Sequence, residues 1–228
     1  MTTRLLLLLL SILLISACNT VPVVNNHFQI QDHAFLQAGT STTAVILCHG
    51  RGHHPRWQVV NPLRKQTHKQ LSFHTLSIQM PTDDEIDWQD YRYMFSQAFH
   101  TIEASINYLK EQHQVKKIFL IGHSMGSRMA SAYLAATPQH GINGFVGIGM
   151  RNNGDHPLDA GENLGKVSLP VLDLFGDGGN HKDFYHAKDR SHLISDLYKQ
   201  QMVKNANHRF TQHQNEMIEA VINWLKIH

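Results

Sequence analysis

The pentapeptide Gly122-His123-Ser124-Met125-Gly126 has the residue types and spacing to present a nucleophile. An apolar run, Lys117-Ile118-Phe119-Leu120-Ile121, leads into it, and Met125, Met129, Ala132, Tyr133 and Ala136 follow at helical spacing. A G-x-S-x-G turn between a strand and a helix holds its Ser in strained backbone space at the carboxyl edge of a sheet. The neighbouring helix N-terminus favours developing negative charge there. The flanking glycines are required because a Cβ would clash where strand and helix converge. The chemistry this points to is acyl transfer through the Ser124 hydroxyl.

Acyl transfer also needs two N–H groups aimed at the carbonyl oxygen, a base and a carboxylate. One N–H should come from Met125, the residue after the Ser. The other should come from the His49-Gly50-Arg51-Gly52 turn that ends the buried-strand pattern Ala44 to Cys48, with Arg51 as the donor. The base is read as His208, in Asn207-His208-Arg209-Phe210 after a short last strand; His213 is the runner-up, at the approach to the terminal helix. For the acid, Asp177 in Asp177-Gly178-Gly179-Asn180 is the first candidate and Asp183 the second. Asp173 lies inside the strand pattern Pro170 to Gly176 and should face away or cap something.

With these residues in view, the chain from about Thr43 onward resembles the α/β-hydrolase superfamily. The order Ser124, Asp177, His208 is that superfamily's Ser-acid-His order. The stretch from His74 to Pro81, the elbow and the Asn-His-x-Phe segment are also similar to a subgroup of bacterial envelope α/β hydrolases. The superfamily usually carries Gly-x-x-Asp after the penultimate strand, whereas here the third residue after Gly176 is Gly179. The resemblance implies a serine esterase or thioesterase. The departure at Gly179 motivates the alternative, a lipid-anchored binding or structural module without catalysis.

The N-terminus reads as an address. Arg4, an apolar run from Leu5 to Ile15, and then Ser16-Ala17-Cys18 form a secretory signal, too short for a spanning helix of about 20 residues. Small residues before Cys18 resemble a bacterial lipobox, which implies lipidation of Cys18. Asn19 in place of Asp implies an outer-membrane anchor facing the periplasm in a Gram-negative host. The expected organisation is a signal peptide over 1–17, a tether and the start of an edge hairpin (His27 to Leu36) over 18–40, and one catalytic domain over 41–228. With Cys18 acylated, Cys48 has no disulfide partner and packs as a small hydrophobe.

Composition fits a single globular domain. The net charge is +2, falling to +1 once Arg4 leaves with the signal, and no basic stripe with interleaved aromatics suggests nucleic acid. The 18 His include the groups His49, His53, His54 and His181, His186, but no H-E-x-x-H occurs, so neither a metal nor another cofactor is expected. The acidic loop Asp83-Asp84-Glu85 with Asp87 is read as solvated, or as lining the mouth of the site. Strand patterns at 44–48, 74–79, 117–121, 144–149, 170–175 and 200–204 alternate with helical ones. This predicts an α/β fold with a mostly parallel central sheet flanked by helices, and the resemblance implies a single α/β-hydrolase domain. The short polar segment Arg151 to Val167 leaves no room for a large cap, so the site should be open and rimmed by Trp57, Trp88 and the Arg151 loop. A small-molecule ester or lipid is the expected substrate.

Overall fold

A computed structural model describes residues 28–228. The expected signal, the lipidation site Cys18 and most of the tether lie outside those residues. Seven strands form one sheet: β1 (Ala34–Leu36), β2 (Thr43–Cys48), β3 (His74–Ile78), β4 (Lys117–His123), β5 (Gly144–Ile148), β6 (Val171–Gly176) and β7 (Tyr198–Val203). Their spatial order is β1-β3-β2-β4-β5-β6-β7. Only β1 runs antiparallel, pairing Phe35 with Leu76, and every other ladder is parallel.

The helices are α1 (Val60–Leu71), α2 (Phe95–His113), α3 (Met125–Ala136), α4 (Ala160–Leu164), α5 (Lys182–Asp189) and α6 (Gln214–Ile227). Alternate strand residues point to opposite faces, so the continuous apolar strands feed two cores. Ala44, Ile46, Cys48, Ile118 and Leu120 pack with Ala98, Ile102 and Ile106 of α2 and Met129 and Tyr133 of α3. Val45, Leu47, Phe119 and Ile121 pack on the other face with Leu63 of α1 and Met217, Val221 and Trp224 of α6. Burial on both faces is why these strands show no polar alternation.

The expected hairpin over His27 to Leu36 is corrected. Ile30–Asp32 forms a single 3-10 turn, and β1 pairs directly with β3. The Gln79 N–H donates to His33 Nδ1, and the His33 ring stacks on Phe28, so side-chain contacts hold the segment where a second strand was expected. Asp173 does more than cap. It is fully buried on β6, where Arg190 donates to both of its oxygens at 2.9 Å and Tyr198 Oη and Gln200 Nε2 donate at 2.6 and 3.0 Å. Arg190 also donates to the Met150 carbonyl and Asn152. This network ties the end of α5 and the 150–152 loop to β6 and β7. Among the described residues no helix is long and apolar enough to cross a membrane.

Candidate active site

Ser124 stands between β4 and α3 with φ 54° and ψ −120°, conformational space that side chains rarely occupy. The two glycines show why the turn can form. A Cβ on Gly122 would lie 2.5 Å from Ser127 Cα, and one on Gly126 would lie 2.3 Å from the His49 carbonyl oxygen. The Ser124 N–H donates to Ile148 O on β5, which anchors the turn to the sheet.

The hydroxyl faces His208. Ser124 Oγ and His208 Nε2 are 3.0 Å apart, and His208 Nδ1 lies 2.6 Å from Asp183 Oδ2. With the carboxylate ionised, Nδ1–H donates to Asp183 and Nε2 is left to accept the serine proton. Arg151 Nε donates to the other oxygen of Asp183 at 3.3 Å. Burial works against the charge of Asp183. The hydrogen bond and charge of His208 and the Arg151 guanidinium outweigh it and hold the carboxyl below its ordinary value.

The carboxylate that meets His208 is therefore Asp183 and not the first-named candidate, Asp177. Asp177 Oδ1 accepts the N–H of Asn205, whose φ of 61° turns the chain after β7, so it ties that turn to the end of β6. The loop after Gly176 runs to His181, and Asp183, four residues past Gly179, sits in the first turn of α5. His213, the runner-up, is not brought to Ser124: it precedes α6 and faces Glu216.

Three positioning groups escaped the sequence reading. Gly149, at φ 58°, lies under the His-Asp pair, and a Cβ there would stand 3.0 Å from His208 Nδ1 and 3.1 Å from Asp183 Oδ2. His123 is fully buried, and its Nε2–H donates to the His208 carbonyl at 3.0 Å, fixing the backbone that carries the His208 ring. Burial and the neighbouring His208 push His123 down to about 3, so it is neutral at physiological pH. His49, counted above among metal candidates, secures the turn before Arg51. Its Nδ1–H donates to Gly50 O at 2.8 Å, and its Nε2 accepts the Met80 N–H at 3.0 Å. Burial lowers it to about 4, which keeps that accepting nitrogen free of a proton.

The turn His49–Arg51 lies against Ser124, since a Cβ on Gly50 would be 3.2 Å from Ser124 Cβ. Met125 opens α3, so its N–H has no acceptor within the helix. Among the described residues no three His, Cys, Asp or Glu side chains converge to hold a metal ion.

A cleft of about 610 Å³ opens over Ser124 and His208. Trp88 and Arg151 line it as expected. Trp57 stands behind, stacked on His53 at 3.8 Å between ring centroids, with the Arg209 guanidinium over its ring. The acidic loop does not reach the lining: Asp83 Oδ1 accepts the Glu85 N–H, and the Asp83 carbonyl accepts Tyr91 Oη–H. Arg128, unnoticed in the sequence, lines the cleft from the first turn of α3. Its signal was available, because it is the only charged residue in that helix.

The alpha/beta hydrolase fold family model matches residues 43–168, more than half of the chain. No curated protein matches in sequence. Several solved structures are similar in fold. The ferulic acid-bound Est1E of Butyrivibrio proteoclasticus matches with TM-score 0.69 and 14% identity over 85% of this chain and 93% of that one. A dienelactone hydrolase from Anabaena variabilis matches with TM-score 0.68 and 20% identity over 86% and 91%. XC6422 from Xanthomonas campestris, described as an a/b serine hydrolase without lid, matches with TM-score 0.66 and 13% identity over 85% and 87%.

Proposed function

The chain belongs to the alpha/beta hydrolase fold family, and from that premise we propose that it is a serine hydrolase acting on carboxylic esters or thioesters. The observation that carries this reading is the continuous relay Ser124–His208–Asp183, with both hydrogen bonds at catalytic distance. Ser124 Oγ attacks the carbonyl carbon while His208 Nε2 takes its proton. Asp183 stabilises the imidazolium. The Met125 and Arg51 amides receive the oxyanion. The imidazolium then protonates the departing alcohol or thiol as its bond to the acyl carbon breaks, leaving the acyl group on Ser124. Water, deprotonated by the same imidazole, releases the acid and restores the hydroxyl.

Gly179 prompted the alternative of a non-catalytic module. Asp183, four residues farther on, takes that motive away. Turnover of p-nitrophenyl acetate and butyrate tests the reading. Release of p-nitrophenolate that disappears in Ser124→Ala is expected; a folded protein with no turnover, or turnover that survives in Ser124→Ala, overturns it.

The proposed place of work is the cell envelope, with the mature chain held by acyl groups on Cys18. One chain gives only marginal membrane binding, so a diacylglyceryl Cys is the minimum for a stable anchor. Metabolic labelling with an alkyne fatty acid should mark the protein, and Cys18→Ser should lose the mark and become soluble. Unchanged membrane association in that variant would refute the anchor.

A further inference from the structure

The cleft over Ser124 is lined by Arg51, Arg128, Arg151, Lys182 and Arg209, and among the described residues no acidic side chain lines it. Most of these cations are accounted for. Arg151 is engaged with Asp183, Arg51 Nη1 donates to the Ile86 carbonyl, and Arg209 lies over the Trp57 ring. Lys182 is exposed at the rim.

Arg128 is different. It is 3% exposed, and its Nη1 has no hydrogen-bond partner among the described residues. Its Nη2 donates to Asn153 Oδ1, and its guanidinium stands 5.1 Å over the Trp88 ring, so the fork is held in place. The carboxylate that favours its charge, Asp159, is committed to capping α4, accepting the N–H groups of Gly161 and Glu162. Burial and the charges of Arg151 and Arg190 both oppose the cation, lowering it to about 10. A buried cation without a counter-ion is costly to maintain, and a fixed guanidinium with a free donor suits bidentate oxyanion binding.

We propose that Arg128, beside the nucleophile, is an anion subsite, and that the ester substrate carries a terminal oxyanion, a carboxylate or a phosphate, which pairs with it. This rests on the reading of Ser124 as the nucleophile. It restricts the substrate class to charged esters and argues against neutral lipids. The surrounding positive field would draw such substrates in, with an on-rate that falls as salt is added.

The test compares matched pairs of esters differing only in that charge. Mono-p-nitrophenyl glutarate and its methyl ester place a carboxylate on the acyl side. p-(Acetoxymethyl)benzoate and its methyl ester place it on the alcohol side. Acetoxyethyl phosphate and its dimethyl ester supply phosphate instead. The charged member of at least one pair should show the higher kcat/KM in the wild type, by about ten- to a hundredfold, the range expected for charge-assisted hydrogen bonds. That ratio should collapse toward one in Arg128→Met, and the pair that responds identifies the oxyanion. As a measurement on the intact chain, Trp88 emission should change on titration with glutarate or inorganic phosphate, and Trp88→Phe should abolish the change. Neutral esters turned over with ratios at or below one in all three pairs would overturn the subsite while leaving the serine mechanism standing. A preference that survives in Arg128→Met, or no Trp88-dependent response to either anion, would also overturn it. No turnover of any ester would count against the nucleophile itself.

Discussion

Replacing Asp183 by Asn removes one charge and almost no volume, from a side chain only 4% exposed and 2.6 Å from His208 Nδ1. The change acts on the step in which His208 becomes an imidazolium. At an effective dielectric of about 20, unit charges 4 Å apart attract by about 4 kcal/mol, which corresponds to roughly a thousandfold in rate. Two further effects add to this. The Asn amide can present Nδ2–H to His208 Nδ1, which moves the ring proton to Nε2 and leaves nothing to accept the Ser124 proton. Arg151, now facing a neutral amide, adds repulsion to the imidazolium. The expected loss in kcat is about 10³ to 10⁴, with kcat/KM falling equally because the interaction belongs to the transition state. Steady-state hydrolysis of p-nitrophenyl acetate, with circular dichroism to confirm folding, measures it. Asp177→Asn is the paired control. Among the described residues its carboxylate accepts from the Asn205 N–H, which an amide oxygen can still do, so activity should stay within about threefold of wild type. A folded Asp183→Asn protein within tenfold of wild type, or an Asp177→Asn protein that loses as much, would refute the assignment.

Gly126→Ala should lower stability by at least about 2 kcal/mol in thermal unfolding, because the new methyl meets backbone oxygens of Cys48 and His49 at 2.4 and 2.3 Å; an unchanged Tm would contradict the account of the elbow. Asp173→Asn leaves Arg190 buried without a counter-charge and should cost about 3–5 kcal/mol, seen as a Tm drop of roughly 10 °C. Acid should destabilise the fold well before the carboxylates protonate. His49 and His123 sit far below the ordinary value of 6.5, so the unfolded chain binds protons that the native one refuses. Their contribution is complete above pH 6.5 and is lost as pH falls toward 4 and 3, about 2 kcal/mol each between pH 7 and pH 5. Asp183, held below its ordinary value, adds a further loss at lower pH. Urea unfolding at the two pH values should show the decline; stability that is flat or rising toward pH 5 would contradict the neutral assignments.

How much of this was legible in the sequence follows from how local each signal is. The elbow was readable because its requirements sit within five residues, two of them glycines excluded from carrying a Cβ by the 122–127 and 48–126 approaches. The core strands were readable because burial on both faces leaves unbroken apolar runs. His208 was readable from its place after the last strand. The acid was not, because choosing between Asp177 and Asp183 depends on a loop path. Gly178 passes so close to Asn205 that a Cβ would lie 2.3 Å from its carbonyl oxygen, and this contact turns the chain away before α5 brings Asp183 back. Sequence spacing carries no trace of that return. Gly149 and His123 act through residues more than 30 positions away, and the antiparallel pairing of β1 depends on β3, again a distant partner.

A fluorophosphonate probe asks whether Ser124 is an activated nucleophile. The probe reports formation of a P–O bond at the serine without requiring the natural substrate. Peptide mapping of the labelled protein should place a single adduct on Ser124, with no label in Ser124→Ala and strongly slowed labelling in His208→Ala. A folded protein that takes no label at Ser124 under conditions where a control serine hydrolase is fully labelled would show that Ser124 is not activated.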